Sequence, residues 1–260
     1  MELSKSKFST YSSLASAKMR RKHGLFAVEG EKSVEDTIDA FSIEALICES
    51  GHVPPYATGR PVYEVSADTM RRLSSLSTPP RVMAIYRLPE PTDPDNLPIE
   101  KRLYMVLDGV QDPGNLGTIV RTCHWFGIYT IFASMNTVDI FNPKCVQSTM
   151  GSIARVRVVY CDLECLFKNN PAMPVYGTLL EGKDIYRAEL GDKGFIVMGN
   201  EGNGISPELR KSITNPLFIP PANADHGESL NVAIAAAVTL SQFAARRGQV
   251  LGFRCLRLRF

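Results

Sequence analysis

Short apolar runs recur along the chain and alternate with longer segments whose apolar residues return every three or four positions. In the first third, Leu25–Val28, Ile43–Ile47, Val62–Val65 and Val82–Tyr86 read as strands, with helical Glu31–Ala40 and Ala67–Leu73 among them. A basic segment near Thr10–Lys22 reads as a further helix ahead of this small α/β unit. The pattern then breaks at "LPEPTDPDNLP", Leu88–Pro98, whose four prolines can continue neither a helix nor a central strand. Beyond the break, Tyr104–Leu107, Tyr129–Ala133, Val156–Tyr160, Val175–Leu179, Phe195–Met198 and Leu217–Ile219 are strand candidates, several separated by helix-length segments. The predicted class is α/β: a small N-terminal α/β domain, then a mostly parallel sheet with helices on its faces. Ligands of such sheets sit outside the carboxyl ends of the strands, so the loops after Leu107, Met198 and Ile219 are where chemistry is expected.

Composition narrows the picture only modestly. The chain has 260 residues and a formal net charge of +2, so no overall field points to a polyanion. Distribution says more. Between Met1 and Phe26 the only acidic residue is Glu2, against Lys5, Lys7, Lys18, Arg20, Arg21 and Lys22, and Arg246, Arg247, Arg254, Arg257 and Arg259 crowd the other end. Either end could face phosphate or simply be solvated. The start lacks the apolar region of a secretory signal, and no apolar run reaches membrane-spanning length. Six scattered cysteines, with only Cys161 and Cys165 close together and no histidine to complete a zinc set, read as reduced thiols of a cytoplasmic protein.

Each of the three loops carries something that turning alone does not need. In "LDGVQDPGNLGTIVRTCHWFG", Leu107–Gly127, Pro113-Gly114 suits the centre of a type II turn. Asn115 can then cap a helix whose apolar face is Leu116, Ile119, Val120 and Cys123. Arg121 points off that face, and Gly117 costs roughly 1 kcal/mol relative to alanine inside a helix, which suggests close backbone approach. In "VMGNEGNGIS", Val197–Ser206, a strand runs into three glycines interleaved with Asn200, Glu201 and Asn203, matching neither a P-loop nor a dinucleotide fingerprint. In "IPPANADHGESLNVAIAAAV", Ile219–Val238, Ser229 or a neighbour caps an alanine-rich helix that Gly248 can end. Capping accounts for Ser229 but leaves Asn231 over.

Together the loops resemble the three motifs, in order, of the SpoU/TrmH branch of SPOUT-class RNA methyltransferases. Asn115, Gly117 and Arg121 match the first motif. Gly199, Asn200, Glu201, Gly202 and Gly204 match the second, and Ser229, Leu230, Asn231 and Val232 the third. "NPKCVQSTMGSIARVRV", Asn142–Val158, is similar to the family segment between the first two motifs. "LFAVEGEKSVED", Leu25–Asp36, is similar to the start of a small L30e-like RNA-recruiting domain. The resemblance implies a recruiting domain over 1–88, a linker over 89–100, a trefoil-knotted SPOUT domain over 101–248 and a tail over 249–260. Cys123 stands where alanine is common, and the segment between Ile219 and Ser229 is longer than usual.

The implied activity is methyl transfer from S-adenosylmethionine to a ribose 2′-hydroxyl of RNA by a homodimer, without metal. Members with a leading domain point to ribosomal (23S-type) rather than transfer RNA. In that reading Arg121, Asn115, Ser229, Asn231 and Glu201 surround the reacting ribose, with the arginine of one subunit completing the partner's pocket. Gly199, Asn200, Gly202, Ile219, Leu230 and Leu107 hold the cofactor, and Arg20, Arg21, Lys22 and Lys144 hold RNA. No matched position is an obvious base. An arginine in water essentially never deprotonates, so Arg121 is read as orienting the hydroxyl and stabilising the developing alkoxide. The alternatives are a transfer-RNA ribose methyltransferase, a non-catalytic RNA-binding factor on the same scaffold, and a small-molecule enzyme using the glycine loops for a nucleotide.

Overall fold

A computed structural model of the chain describes residues 2–223 and 229–251, with the side chains of Asp95 and of residues 247–251 outside the description. By packing density the chain divides into two compact units. One comprises Met1–Thr92, Asp112–Arg121 and Val138–Arg157; the other comprises Asp93–Gln111, Thr122–Thr137 and Val158–Phe260.

The first unit begins with α1 (Lys5–Ser12) and α2 (Ala17–His23) rather than a single basic helix. The break falls in a serine-rich stretch. Ser13 donates its hydroxyl to the Thr10 carbonyl at 2.6 Å, and Ser16 is extended at φ −82°, ψ 127°. Serine hydroxyls compete in this way with the helical ladder. Gly24 closes α2 in the left-handed region at φ 64°. Strands β1 (Leu25–Glu29), β2 (Ile43–Glu49), β3 (Val62–Val65) and β4 (Val82–Arg87) form a mixed sheet in the order β1-β4-β2-β3. Helices α3 (Glu31–Thr37) and α4 (Ala67–Leu73) complete the N-terminal part. Tyr11, Leu14, Ala45, Ile47, Tyr63, Met70 and Ile85 share its core.

The second unit is built on a six-stranded sheet. Strands β5 (Leu103–Leu107), β6 (Thr130–Ala133), β7 (Arg157–Tyr160), β8 (Val175–Asp184), β9 (Gly194–Met198) and β10 (Asn215–Phe218) lie in the order β10-β8-β9-β5-β6-β7. The pairs β10·β8, β8·β9, β9·β5 and β5·β6 are parallel. Every residue of β5 and β9 is buried, as expected for central strands covered on both faces. Tyr104, Val106, Phe132, Phe195, Val197, Ile205 and Leu209 pack in one cluster. Because the paired strands run parallel, the loops after β5, β9 and β10 leave one end of the sheet.

Four further helices are α5 (Pro113–Trp125), α6 (Pro143–Ser148), α7 (Leu163–Asn169) and α8 (Pro207–Arg210). The last, α9 (Val232–Leu251), runs through Gly248 instead of ending there, so glycine does not stop this helix. No helix among the described residues is long and apolar enough to cross a membrane.

Candidate active site

The loops after β5 and β9 are laced together by backbone and short polar side chains. Asn200 donates Nδ2–H to the Gly109 carbonyl at 2.7 Å, while its Oδ1 accepts from the N–H groups of Gly202 and Asn203 at 2.9 and 3.1 Å. Asn200 and Gly204 exchange two backbone bonds, both 2.9 Å. The turn is therefore closed by Asn200, whose side chain is consumed in shaping it. Gly199 is required for the same reason: a Cβ there would lie 2.2 Å from the Gly204 carbonyl carbon. Glu201 reaches back to accept from Gln111 N–H at 3.3 Å, within the same unit. Gly202, Asn203 and Gly204 leave the outer rim of the turn exposed.

Two residues here escaped the sequence reading. Asp108, only 8% exposed, accepts from Ser206 N–H at 2.7 Å and so ties the foot of one loop to the foot of the other. Gly109 at φ +72° is the left-handed residue of the β5 loop. A hint lay in "LDG", an acid and a glycine directly after a buried strand. Leu107, expected among the cofactor contacts, is the last residue of β5. Its side chain is fully buried, and its carbonyl already accepts Ser134 N–H at 2.9 Å and Thr137 Oγ1–H at 3.3 Å.

The expected type II turn at Pro113-Gly114 does not form; both residues belong to the first turn of α5. Asp112, not Asn115, is the cap: its Oδ1 accepts Asn115 N–H at 2.9 Å, and its carbonyl accepts Leu116 N–H at 3.1 Å. Asp112 also pairs with Lys144 Nζ at 3.0 Å. That ammonium and the Asn115 N–H hold the Asp112 carboxyl below its ordinary range. Gly117 does serve close approach, but to protein. A Cβ would stand 2.5 Å from both the Cys145 carbonyl oxygen and Ser148 Cβ on α6. Leu116, Ile119, Val120 and Cys123 are fully buried, whereas Arg121 is exposed and its side chain makes no hydrogen bond or ion pair with any described residue. Burial pushes the Cys123 and Cys145 thiols far above their usual range, so both stay protonated and act as packing groups.

At the start of α9, Ser229, Leu230 and Asn231 are all exposed. Capping explains Asn231 after all, for its Oδ1 accepts the N–H groups of Ala233 and Ile234 at 2.9 and 3.3 Å. Ile219 is half-buried just past β10. The expected long segment falls partly on residues 224–228, including His226, which lie outside the described residues, as does most of the 249–260 tail.

The basic residues separate sharply. Arg21 and Lys22 are exposed on α2. Arg20, expected to meet RNA alongside them, is instead buried at 2% exposure. Its Nε and Nη2 donate to Asp139 Oδ2 at 3.2 and 2.5 Å, and Nη1 donates to the Leu14 and Ala15 carbonyls, both at 3.0 Å. Four of its N–H donors are thus used inside the protein.

The loops after β9 and β10 thus carry an exposed glycine turn and an exposed leucine, and α5 carries an exposed arginine. Residues 102–241 match the SpoU rRNA Methylase family, and residues 7–84 match the MRM3-like substrate binding domain. The chain belongs to the SpoU rRNA methylase family. It is 32% identical over 238 residues to the 23S rRNA (guanosine(2553)-2′-O)-methyltransferase RlmP of Bacillus subtilis, covering 89% of this chain and 93% of that protein. A 23S rRNA (uridine(2479)-2′-O)-methyltransferase of Streptomyces viridochromogenes is 27% identical over 179 residues, covering 65% of this chain and 61% of that one. The AdoMet-bound rRNA methyltransferase of Sinorhizobium meliloti superposes with a TM-score of 0.83 at 30% identity, over 95% of this chain and 98% of that one.

Proposed function

We propose that this protein methylates a ribose 2′-hydroxyl of large-subunit ribosomal RNA, using S-adenosylmethionine. The observation that carries the reading is that all three motif loops leave one end of the parallel sheet, with an exposed arginine on the helix after the first. The residues suit the cofactor: the open rim at Gly202–Gly204 offers backbone donors and acceptors, and Leu230, 51% exposed, offers an apolar face for a purine. Gly199, Gly202, Ile219 and Leu230 would hold it; Asn200 acts indirectly by shaping the turn. The bound sulfonium supplies an activated methyl group, so the protein's task lies with the hydroxyl.

Arg121 orients that hydroxyl and stabilises the alkoxide that develops as its proton leaves. Asn115, Ser229 and Asn231 hydrogen-bond around the ribose, and Glu201 stays with the loop rather than serving as base. Arg21, Lys22 and Lys144 meet phosphate, with the 1–88 portion as recruiting domain, 89–100 as linker and 101–248 as the catalytic domain. We also infer the family's trefoil knot and a homodimer in which each Arg121 completes the partner's pocket. Trp125, Tyr129 and Ile234, respectively 74%, 52% and 52% exposed, are apolar surface that a second copy would cover. The setting is the cytoplasm. The relatives act on guanosine in one case and uridine in another, so the target base is left to mapping.

Arg121→Ala tests this directly. Methyl transfer to 23S RNA should fall by about 10²–10³, the usual loss for one transition-state donor, with S-adenosylmethionine affinity by calorimetry unchanged. Transfer at the wild-type rate would overturn the mechanism.

A further inference from the structure

Two chain segments distant in sequence from the N-terminal domain are packed into it. Asp112–Arg121 and Val138–Arg157 belong to the same compact unit as Met1–Thr92. Three contacts join them. Arg20 of α2 is buried and forked onto Asp139. Phe141 lies 4.6 Å, centroid to centroid, from Phe26, inside an aromatic group with Phe41 and Tyr86. Gly151, at φ +83°, sits so close to α3 that a Cβ would lie 2.7 Å from Asp36 Cβ. The same segment continues through α6 to α5, where Gly117 lets the two helices touch and Lys144 pairs with the cap Asp112.

The ion pair, with its guanidinium buried and its carboxylate part-exposed, is the informative part of this joint. A guanidinium taken out of water is costly, and a packed apolar pair of similar volume would often be as stable or more so. What the fork adds is direction. Nε and Nη2 hold one carboxylate while Nη1 holds the end of the turn before α2, so α2 is fixed in angle as well as in place.

We propose that Arg20 is a positioning residue for methyl transfer: its pair with Asp139 fixes the RNA-recruiting helix α2 to the 138–157 segment, against which the helix carrying Asn115 and Arg121 packs, so that gripped RNA and the reactive arginine move as one body. Resting on the function proposed above, this makes α2 more than a phosphate patch. Arg21 and Lys22 grip, and Arg20 sets where the gripped strand lies relative to Arg121.

The test uses the full chain as Arg20→Lys, with Asp139→Asn carrying the same measurements should the first not fold. Single-turnover methylation at saturating 23S RNA fragment and S-adenosylmethionine should fall at least tenfold. The dissociation constants of both should stay within about twofold, and amide exchange should speed up together in Ala17–His23 and in 139–148. A weakened RNA affinity with a wild-type saturated rate would make Arg20 an ordinary phosphate contact. A wild-type saturated rate with only a lower melting temperature would make it purely structural. Unchanged exchange would mean that the joint does not depend on the pair. Each of these overturns the proposal. A wild-type rate in Arg121→Ala would instead sink the catalytic reading, leaving the exchange result standing.

Discussion

Arg20 and Arg121 are both helix arginines, and the protein uses them in opposite ways. Arg20, on α2, is 2% exposed, with Asp139 and two carbonyls taking its donors. Arg121, on α5, is exposed and its side chain makes no hydrogen bond or ion pair with any described residue, although its helix is firmly seated through Leu116, Ile119, Val120 and Cys123. A guanidinium with its donors filled can only hold the protein together. One on a rigid support with its donors open can bind something else. The contrast teaches that a run such as "MRRKH" cannot be assigned to RNA as a block, because one of its members is a structural tie.

Alanine at both positions is the strongest way to break this comparison. Arg20→Ala leaves Asp139 and two carbonyls without their donor and should cost on the order of 3 kcal/mol, whereas Arg121→Ala should stay within about 0.5 kcal/mol while losing transfer. Urea unfolding measures both, and equal midpoints would erase the distinction. Next in size is Gly117→Ala, whose methyl must push α6 away from α5. Overpacking of this kind costs about 1–3 kcal/mol, visible as a lower melting temperature. A melting point at or above wild type would show that the helices yield easily.

Asn231→Ala should cost about 1 kcal/mol through loss of the α9 cap, and Asn231→Asp should restore that stability. Methylation restored along with it would confine Asn231 to capping; methylation still impaired would place its amide at the ribose. The smallest effect concerns pH. The folded-state value of Asp112 is depressed, so its contribution is present above the unfolded carboxylate range and is lost as pH falls through the folded value. The pair is largely exposed, so Lys144→Met should flatten the acid limb of the stability curve by under 1 kcal/mol, about the worth of a surface salt bridge. An identical acid limb would show that the Asn115 N–H alone holds the carboxylate.

Much of the fold could be read from the chain, and what was not legible shares a cause. The strands of the second unit, the end of the sheet that matters, and Arg121 as an off-face residue all follow from periodicity, which is local. Asn115, Gly117 and Asn231 each have a protein partner that the sequence does not name. Asp112 caps the helix, α6 needs the glycine, and Asn231 is the cap of α9. Asp108 went unnoticed because one acid after a strand looks like any turn residue until Ser206 N–H is seen against it.

By itself, the sequence determined the alternation of strands and helices, the motif order and hence the family. These depend on side-chain period and backbone preference over a few neighbouring residues. Only the tertiary structure decided which polar groups are used up and which remain open. That depends on partners far away in the chain, Arg20 with Asp139, Asn200 with Gly109, Gly117 with Cys145. A side chain's chemistry is set by what satisfies its donors and acceptors, and no local pattern records a partner that lies in another element of the chain.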